Sequence, residues 1–214
     1  MKDLKMKANI TEIFNSISGE VNPWYQGCLT TFVRLARCNL KCPYCDTPES
    51  MGPEYTEYTI QNLLVDVNLK YQKTGKLCIT GGEPLIQADV CKVLIENFPN
   101  CWIETNGTYN FTDLIGEVAL VADYKLFMME NEIPPYFYRL KRTDFVKFVI
   151  GNIQDIVSAQ KVQQAIQTSG CLCNFAYSPL YGEISAKEIF DTLIENSLPN
   201  TIINVQIHKY LEMK

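Results

Sequence analysis

Seven short apolar runs punctuate the chain, at residues 31–36, 76–80, 101–104, 118–123, 144–150, 173–177 and 202–207, and they are rich in Val, Ile and Phe. They read without polar alternation, the pattern expected of strands buried on both faces. Helical patterns separate them at 59–72, 89–97, 153–168 and 185–196. The first places Ile60, Leu63, Leu64 and Val67 at helical spacing, and the last opens on a Ser185···Glu188 capping box. Strand–helix alternation restricts the fold class to α/β, with a mostly parallel sheet and right-handed crossovers. No repeat or low-complexity linker divides residues 1–214, so a single domain is expected. In such folds chemistry gathers at the carboxyl ends of the strands. Segments 47–57 and 127–143, both carrying Pro and Tyr, read as irregular.

Composition then narrows the function classes. Of 214 residues, 47% are hydrophobic, and 19 basic side chains face 24 acidic ones for a net charge of −5. A polynucleotide backbone wants a basic face, so no nucleic-acid partner is expected. No apolar run approaches the ~20 residues that span a bilayer, so no membrane association is expected. Residues 1–10 carry lysines with no apolar segment after them; no secretory signal is read there, and the expected location is cytoplasmic.

Nine cysteines are present. Cys28, Cys78, Cys91, Cys101, Cys171 and Cys173 are scattered through apolar stretches and read as small core residues. Cys38, Cys42 and Cys45 instead fall within eight residues, directly after the first apolar run, in Cys38-Asn-Leu-Lys-Cys42-Pro-Tyr-Cys45-Asp46-Thr47. Three thiolates on one short loop can surround a metal centre. Structural zinc takes four protein ligands, yet no second cysteine pair lies nearby and the one histidine, His208, is far along the chain. A 4Fe–4S cluster also takes four cysteines; with three, one iron keeps an open position. Spacing alone leaves zinc, a cluster and coincidence open.

The CxxxCxxC loop after a first strand resembles that of the radical S-adenosylmethionine (SAM) enzymes, in which a 4Fe–4S cluster cleaves SAM to a radical that abstracts a hydrogen atom. Two further motifs agree. Thr80-Gly81-Gly82-Glu83-Pro84 follows the second run, where the family has a GGE motif at the SAM amino group. Glycines let a backbone approach a ligand closely, and a carboxylate accepts hydrogen bonds from an ammonium. Glu104-Thr105-Asn106-Gly107 ends the next run and resembles an ETNG segment of the same branch.

From about residue 13 onward the chain resembles the 7-carboxy-7-deazaguanine synthase family of deazapurine (queuosine) biosynthesis. The matching stretches are Phe14-Asn-Ser-Ile17-Ser18-Gly19-Glu20-Val21, the run from Thr31 through Arg34 to Thr47, and Gln206-Ile-His208-Lys209-Tyr-Leu211 before Lys214. The resemblance implies a shortened, partial (β/α) barrel and a lyase that converts 6-carboxy-5,6,7,8-tetrahydropterin to 7-carboxy-7-deazaguanine with loss of ammonia. It implies Cys38, Cys42 and Cys45 as cluster ligands and Thr47 as a Mg2+ ligand. Around SAM it places Tyr44, Cys45, Asp46, Gly82, Glu83, Asp123, Tyr124, Lys125, Ser178 and Pro179. Around the pterin-type substrate it places Ile17, Ser18, Gly19, Glu20, Arg34, Thr80, His208 and the terminal carboxylate of Lys214. A reductant such as flavodoxin and a homodimer are implied as well.

The chain departs from the family pattern at Ser18 (usually Gln), Arg37 (usually Gly), Asp123-Tyr124-Lys125 (usually Ser-Pro-Lys) and Ser178-Pro179 (usually Gln-Pro). The same architecture with another heterocycle as substrate, a glycyl-radical activase and a zinc-binding interaction module are the competing readings. The 127–142 segment, with Met128, Met129, Tyr136, Phe137 and Tyr138, is expected to form a lid or a dimer surface.

Overall fold

A computed structural model describes residues 6–128, 132–196 and 198–213. Its framework is one nine-stranded sheet built from β1 (Lys7–Ile17), β2 (Leu29–Leu35), β3 (Thr56–Thr59), β4 (Leu77–Gly81), β5 (Cys101–Thr105), β6 (Ala119–Asp123), β7 (Phe145–Ile150), β8 (Asn174–Pro179) and β9 (Thr201–Ile203). The spatial order is β3-β1-β2-β4-β5-β6-β7-β8-β9. β2 and β4 to β9 are parallel and follow chain order, whereas β1 pairs antiparallel with both β2 and β3. These parallel strands coincide with the seven apolar runs, except that 202–207 is strand only through Ile203 and its last residue opens a helix, so the mostly parallel α/β reading holds. The sheet ends on β3 and β9 without closing, which makes it a partial barrel.

Helices α1 (Ile60–Thr74), α2 (Ala88–Asn97), α3 (Ile153–Thr168) and α4 (Ala186–Glu195) cover the outer face, and α5 (Ile207–Tyr210) follows β9. The Ser185–Glu188 capping box is present, and α3 opens on a second one from Asn152 and Asp155. Between β5 and β6, and between β6 and β7, the described residues form only short 3₁₀ turns. These shortened crossovers give the fold its reduced size.

The two sheet faces differ, contrary to the expectation of strands apolar throughout. One residue set, including Val33, Leu35, Leu77, Ile79, Ile103, Leu120, Val146, Phe148 and Tyr177, packs the outer core under the helices. The alternate residues form a smaller inner cluster of Val21, Cys78, Trp102, Val121, Phe145 and Ala176, joined by Phe32. Two residues further along each strand the inner face turns polar: Phe32 to Arg34, Cys78 to Thr80, Trp102 to Glu104, Val121 to Asp123, Phe145 to Lys147 and Ala176 to Ser178. Since successive residues alternate faces, the six pairs make an apolar floor beneath a polar rim.

Segment 127–142 mixes exposed residues with a few buried ones. Its 3₁₀ turn Pro135–Arg139 buries Phe137 completely, edge-on to Phe111 and Tyr124, and Tyr136 donates to the Gly107 carbonyl at 3.0 Å. Phe127 and Met128 are exposed, and Met129 lies outside the described residues. The six scattered cysteines are all buried and free, as expected.

Candidate functional site

The polar rim encloses a cavity of about 250 Å3. Its wall combines the strand-end residues Arg34, Thr80, Glu104, Asp123, Lys147 and Ser178 with residues 17–20, the cysteine loop and His208. The position follows from the topology, because parallel strands bring their carboxyl ends, and the loops that follow, to one side.

The cysteine loop is held from two neighbouring strand ends. Gly81 adopts φ +147° and a Cβ there would lie 2.1 Å from the Leu35 carbonyl oxygen; at Gly82 it would lie 2.2 Å from that of Arg37. Backbone bonds run from Gly82 to Leu35 (3.0 Å) and from Glu83 to Arg37 (2.8 Å). The glycine pair thus lets β4 press against the chain leading into Cys38. From β5, Asn106 Nδ2 donates to Asn39 Oδ1 (2.9 Å) and reaches Cys38 Sγ at 3.8 Å, while Asn39 Nδ2 donates to Thr108 Oγ1 (2.9 Å). Cys38, Cys42 and Cys45 are partly exposed and line the cavity, unlike the buried six. Burial pushes the Cys42 thiol up; Lys125 opposes that shift and the other two thiols add to it.

Charge is arranged across the cavity. Lys147 Nζ lies 2.7 Å from Glu20 Oε2 and 3.6 Å from Asp123 Oδ1, and Lys125 Nζ lies 2.8 Å from Asp123 Oδ2. Burial alone raises the Glu20 carboxyl, but Lys147, aided by Gln206 and His208, reverses this and holds it at about 2. Glu104 is raised instead, first by burial and then by Glu20; it accepts from Thr80 Oγ1 (3.1 Å) and Trp102 Nε1 (3.4 Å). Burial lowers Lys147, yet Asp123, Glu20 and Glu104 together lift it well above an ordinary lysine. Lys125 also stands 5.6 Å over the Tyr44 ring, whose hydroxyl burial pushes up to about 12.

Gln206 completes the wall, and its neighbours hold that stretch in place. Asn204 is fully buried: its Oδ1 accepts from Val21 N (2.9 Å) and Gln26 Nε2 (2.9 Å), and its Nδ2 donates to Ser178 Oγ (2.7 Å). Gln206 Nε2 donates to Glu20, and Ile207 N donates to the Gly19 carbonyl (3.0 Å). A Cβ on Gly19 would overlap the His208 ring, so glycine at 19 is what lets His208 reach the cavity.

Most of the expected site residues therefore converge. Ile17, Ser18, Gly19, Glu20, Arg34, Tyr44, Asp46, Thr47, Thr80, Gly82, Asp123, Lys125, Ser178, Pro179 and His208 line the cavity with the three cysteines. Ser18 is held internally, accepting from Asn22 Nδ2 at 3.0 Å. Arg34 is on the wall and ion-paired at once, its Nε donating to Glu12 Oε1 at 2.8 Å.

Two expected SAM contacts are corrected. Glu83 is fully buried and its carboxylate accepts from Leu85 N (2.9 Å), Thr105 Oγ1 (2.8 Å) and Asn106 N (2.7 Å), so it braces the loops instead of facing the cavity. Tyr124 falls on the outer face beside Phe137 and Phe148, one residue out of phase with Asp123. Lys214 lies outside the described residues. Glu104, Lys147 and Gln206 are wall residues, and Asn204 a buried support behind the wall, that motif reading left without a role. The apolar-x-polar step at each strand end carries the signal for the first two.

The residues present suit a 4Fe–4S cluster: three free, partly exposed cysteine thiols, the donors such a cluster takes, stand on one loop and border the cavity. Asp123 Oδ1 is buried without a hydrogen-bond partner among the described residues, an acceptor that a ligand donor satisfies.

A model of the Radical SAM superfamily matches residues 33–129, the stretch that contains all three motifs. The chain is 36% identical to the 7-carboxy-7-deazaguanine synthase of Methanospirillum hungatei, covering 94% of this chain and 84% of that one. It is 32% identical to the synthase of the same name from Clostridium acetobutylicum, covering 96% of each. In fold it is similar to the crystal structure of QueE from Escherichia coli, with a TM-score of 0.74 over 94% of both chains at 22% identity. By its extended identity to these relatives, the chain belongs to the 7-carboxy-7-deazaguanine synthase family of radical SAM enzymes.

Proposed function

We propose that this protein is a radical SAM lyase that forms 7-carboxy-7-deazaguanine from 6-carboxy-5,6,7,8-tetrahydropterin with release of ammonia. The single observation carrying this reading is the convergence of the three-cysteine loop and the Glu20–Arg34–Thr80–His208 wall on one cavity. Cys38, Cys42 and Cys45 would hold a 4Fe–4S cluster, and with SAM that centre supplies abstraction of a hydrogen atom. The protein's residues bind, aim and shield.

Ionised Glu20 offers an acceptor for the N–H edge of a 2-amino-4-oxo ring. Arg34 spends Nε on Glu12 and keeps its terminal nitrogens for the substrate carboxylate, a charge-assisted pairing. Thr80 and His208 supply further polar contacts, and the Phe14–Phe32 stack and Val121 exclude water from below. Asp123, Lys125, Tyr44, Gly82 and Ser178–Pro179 stand toward SAM. Thr47, whose Oγ1 lies 4.0 Å from Cys45 Sγ, is a hard oxygen donor suited to Mg2+. A flavodoxin-type reductant, a homodimer and a cytoplasmic setting belong to the same proposal. No helix among the described residues is long and apolar enough to cross a membrane.

The test is anaerobic reconstitution followed by incubation with SAM, a reductant and the tetrahydropterin acid. The deazaguanine product and ammonia are expected in equal amounts. SAM cleavage without either, by enzyme with an intact cluster, would point to a different heterocycle.

A further inference from the structure

We infer that Lys147 is a positioning residue that ties Glu20 and Asp123 to one ammonium in the cavity wall, and so sets the substrate half of the site in register with the SAM half. Glu20 lies in the segment after β1, beside the wall of Ser18, Gly19 and His208; Asp123 ends β6 and shares Lys125 with Tyr44. Lys147, central in β7, is the one side chain forming an ion pair with both among the described residues, at 2.7 and 3.6 Å, and it is only 13% exposed.

Three features argue for positioning rather than mere stability. First, a buried ion pair contributes little net stability compared with well-packed apolar residues, so stability alone is a poor reason for a nearly buried lysine between two carboxylates. Second, 3.6 Å is too long for a hydrogen bond. Lys147 thereby stands beside Asp123 while leaving its buried Oδ1 open to a ligand. Third, lysine is a compact point charge with three donors; Glu20 takes one at bonding distance, and the ammonium stays within the cavity wall.

The groups facing Glu20 are Lys147, Gln206, Asn204 and His208, with Asp123 and Glu104 across the cavity. Lys147 is the main group opposing the upward push of burial on the Glu20 carboxyl, so its removal is expected to raise that carboxyl. This inference rests on the proposed substrate, and the test separates the two.

Binding of the tetrahydropterin acid to cluster-loaded, SAM-bound enzyme is measured by anaerobic calorimetry from pH 5 to 9, beside kcat and KM. Wild type is expected to show no acid limb from Glu20. Lys147→Met is expected to bind about 100-fold more weakly at pH 6 and to recover toward pH 9, the loss of one charge-assisted contact. Lys147→Arg, which keeps the charge, is expected to show no such limb. A Lys147→Met profile parallel to wild type at every pH overturns the inference. Because the methionine variant risks its fold, infrared titration of the labelled Glu20 carboxyl in wild type gives a second reading. A carboxyl ionised down to pH 4 supports the inference, and protonation between pH 5 and 7 overturns it. Wild type that fails to bind the pterin acid overturns the proposed substrate instead, and the carboxyl titration still decides the role of Lys147.

Discussion

Arg37 shows how a single residue absorbs a departure from the family pattern. It adopts φ +78°, a left-handed conformation that costs a side-chain-bearing residue roughly 1–2 kcal/mol and glycine almost nothing. Its guanidinium donates to Tyr55 OH at 3.0 Å and lies 5.3 Å over that ring, an exposed cation–π contact worth about 0.5–1 kcal/mol. Strain and contact nearly cancel. Arg37→Gly is therefore expected to change stability by less than about 1 kcal/mol, while Arg37→Ala, which keeps the strain and loses the contact, is expected to be the less stable of the two by thermal unfolding.

Glu20 supplies the residue-scale pH prediction. Its folded carboxyl, at about 2, lies below the unfolded value near 4.5. Its contribution is thus fully present above pH 5 and is lost as pH falls toward 2. The shift corresponds to a contribution on the order of 3 kcal/mol. In Glu20→Gln the acid-side decline in denaturation midpoint between pH 5 and 3 should be shallower than in wild type; an unchanged slope would contradict the assigned pairing.

Among the elements, the parallel strands were legible as short apolar runs and the four long helices by their apolar spacing, with side-chain caps at α1, α3 and α4. β1 was not. Its register with β2 shifts between Ile10 and Glu12, so its apolar residues change phase midway and no single period-2 pattern runs through it. β3 is a four-residue, mostly exposed edge strand with no apolar face to read. The motifs located the cysteine loop, but not which face each neighbour presents: Glu83 and Tyr124 belong to the right motifs and point the wrong way.

Glu83 is the bracket between β4, β5 and the loop, and Glu83→Ala leaves Asn106 N, Thr105 Oγ1 and Leu85 N without their acceptor. A loss of about 3 kcal/mol is expected. Asn106 should then release Cys38, so iron content after anaerobic purification should fall below that of wild type even in samples that remain folded. Full iron retention would assign Glu83 a purely local role.

For the molecule as a whole, the open sheet is joined across its gap by side chains rather than by a strand ladder. Val21 N meets Asn204 Oδ1 across a separation of 183 residues, and Gln26 and Gly19 add bonds to the same closing segment. Asn204→Ala removes the shared partner of Val21, Gln26 and Ser178. It is expected to cost about 2–3 kcal/mol and to weaken substrate binding more than SAM binding, measured by calorimetry with each ligand.

This clasp also sets an order of events during biosynthesis. Contacts so distant in sequence close late, after their entropic cost has been met by the rest of the sheet. A nascent polypeptide can assemble strands and helices as they leave the ribosome, yet it possesses no enclosed reaction chamber until residues 204–207 have emerged and docked. An oxygen-sensitive inorganic centre loaded before that moment would sit in an unroofed cleft, so maturation is best timed after that segment has docked.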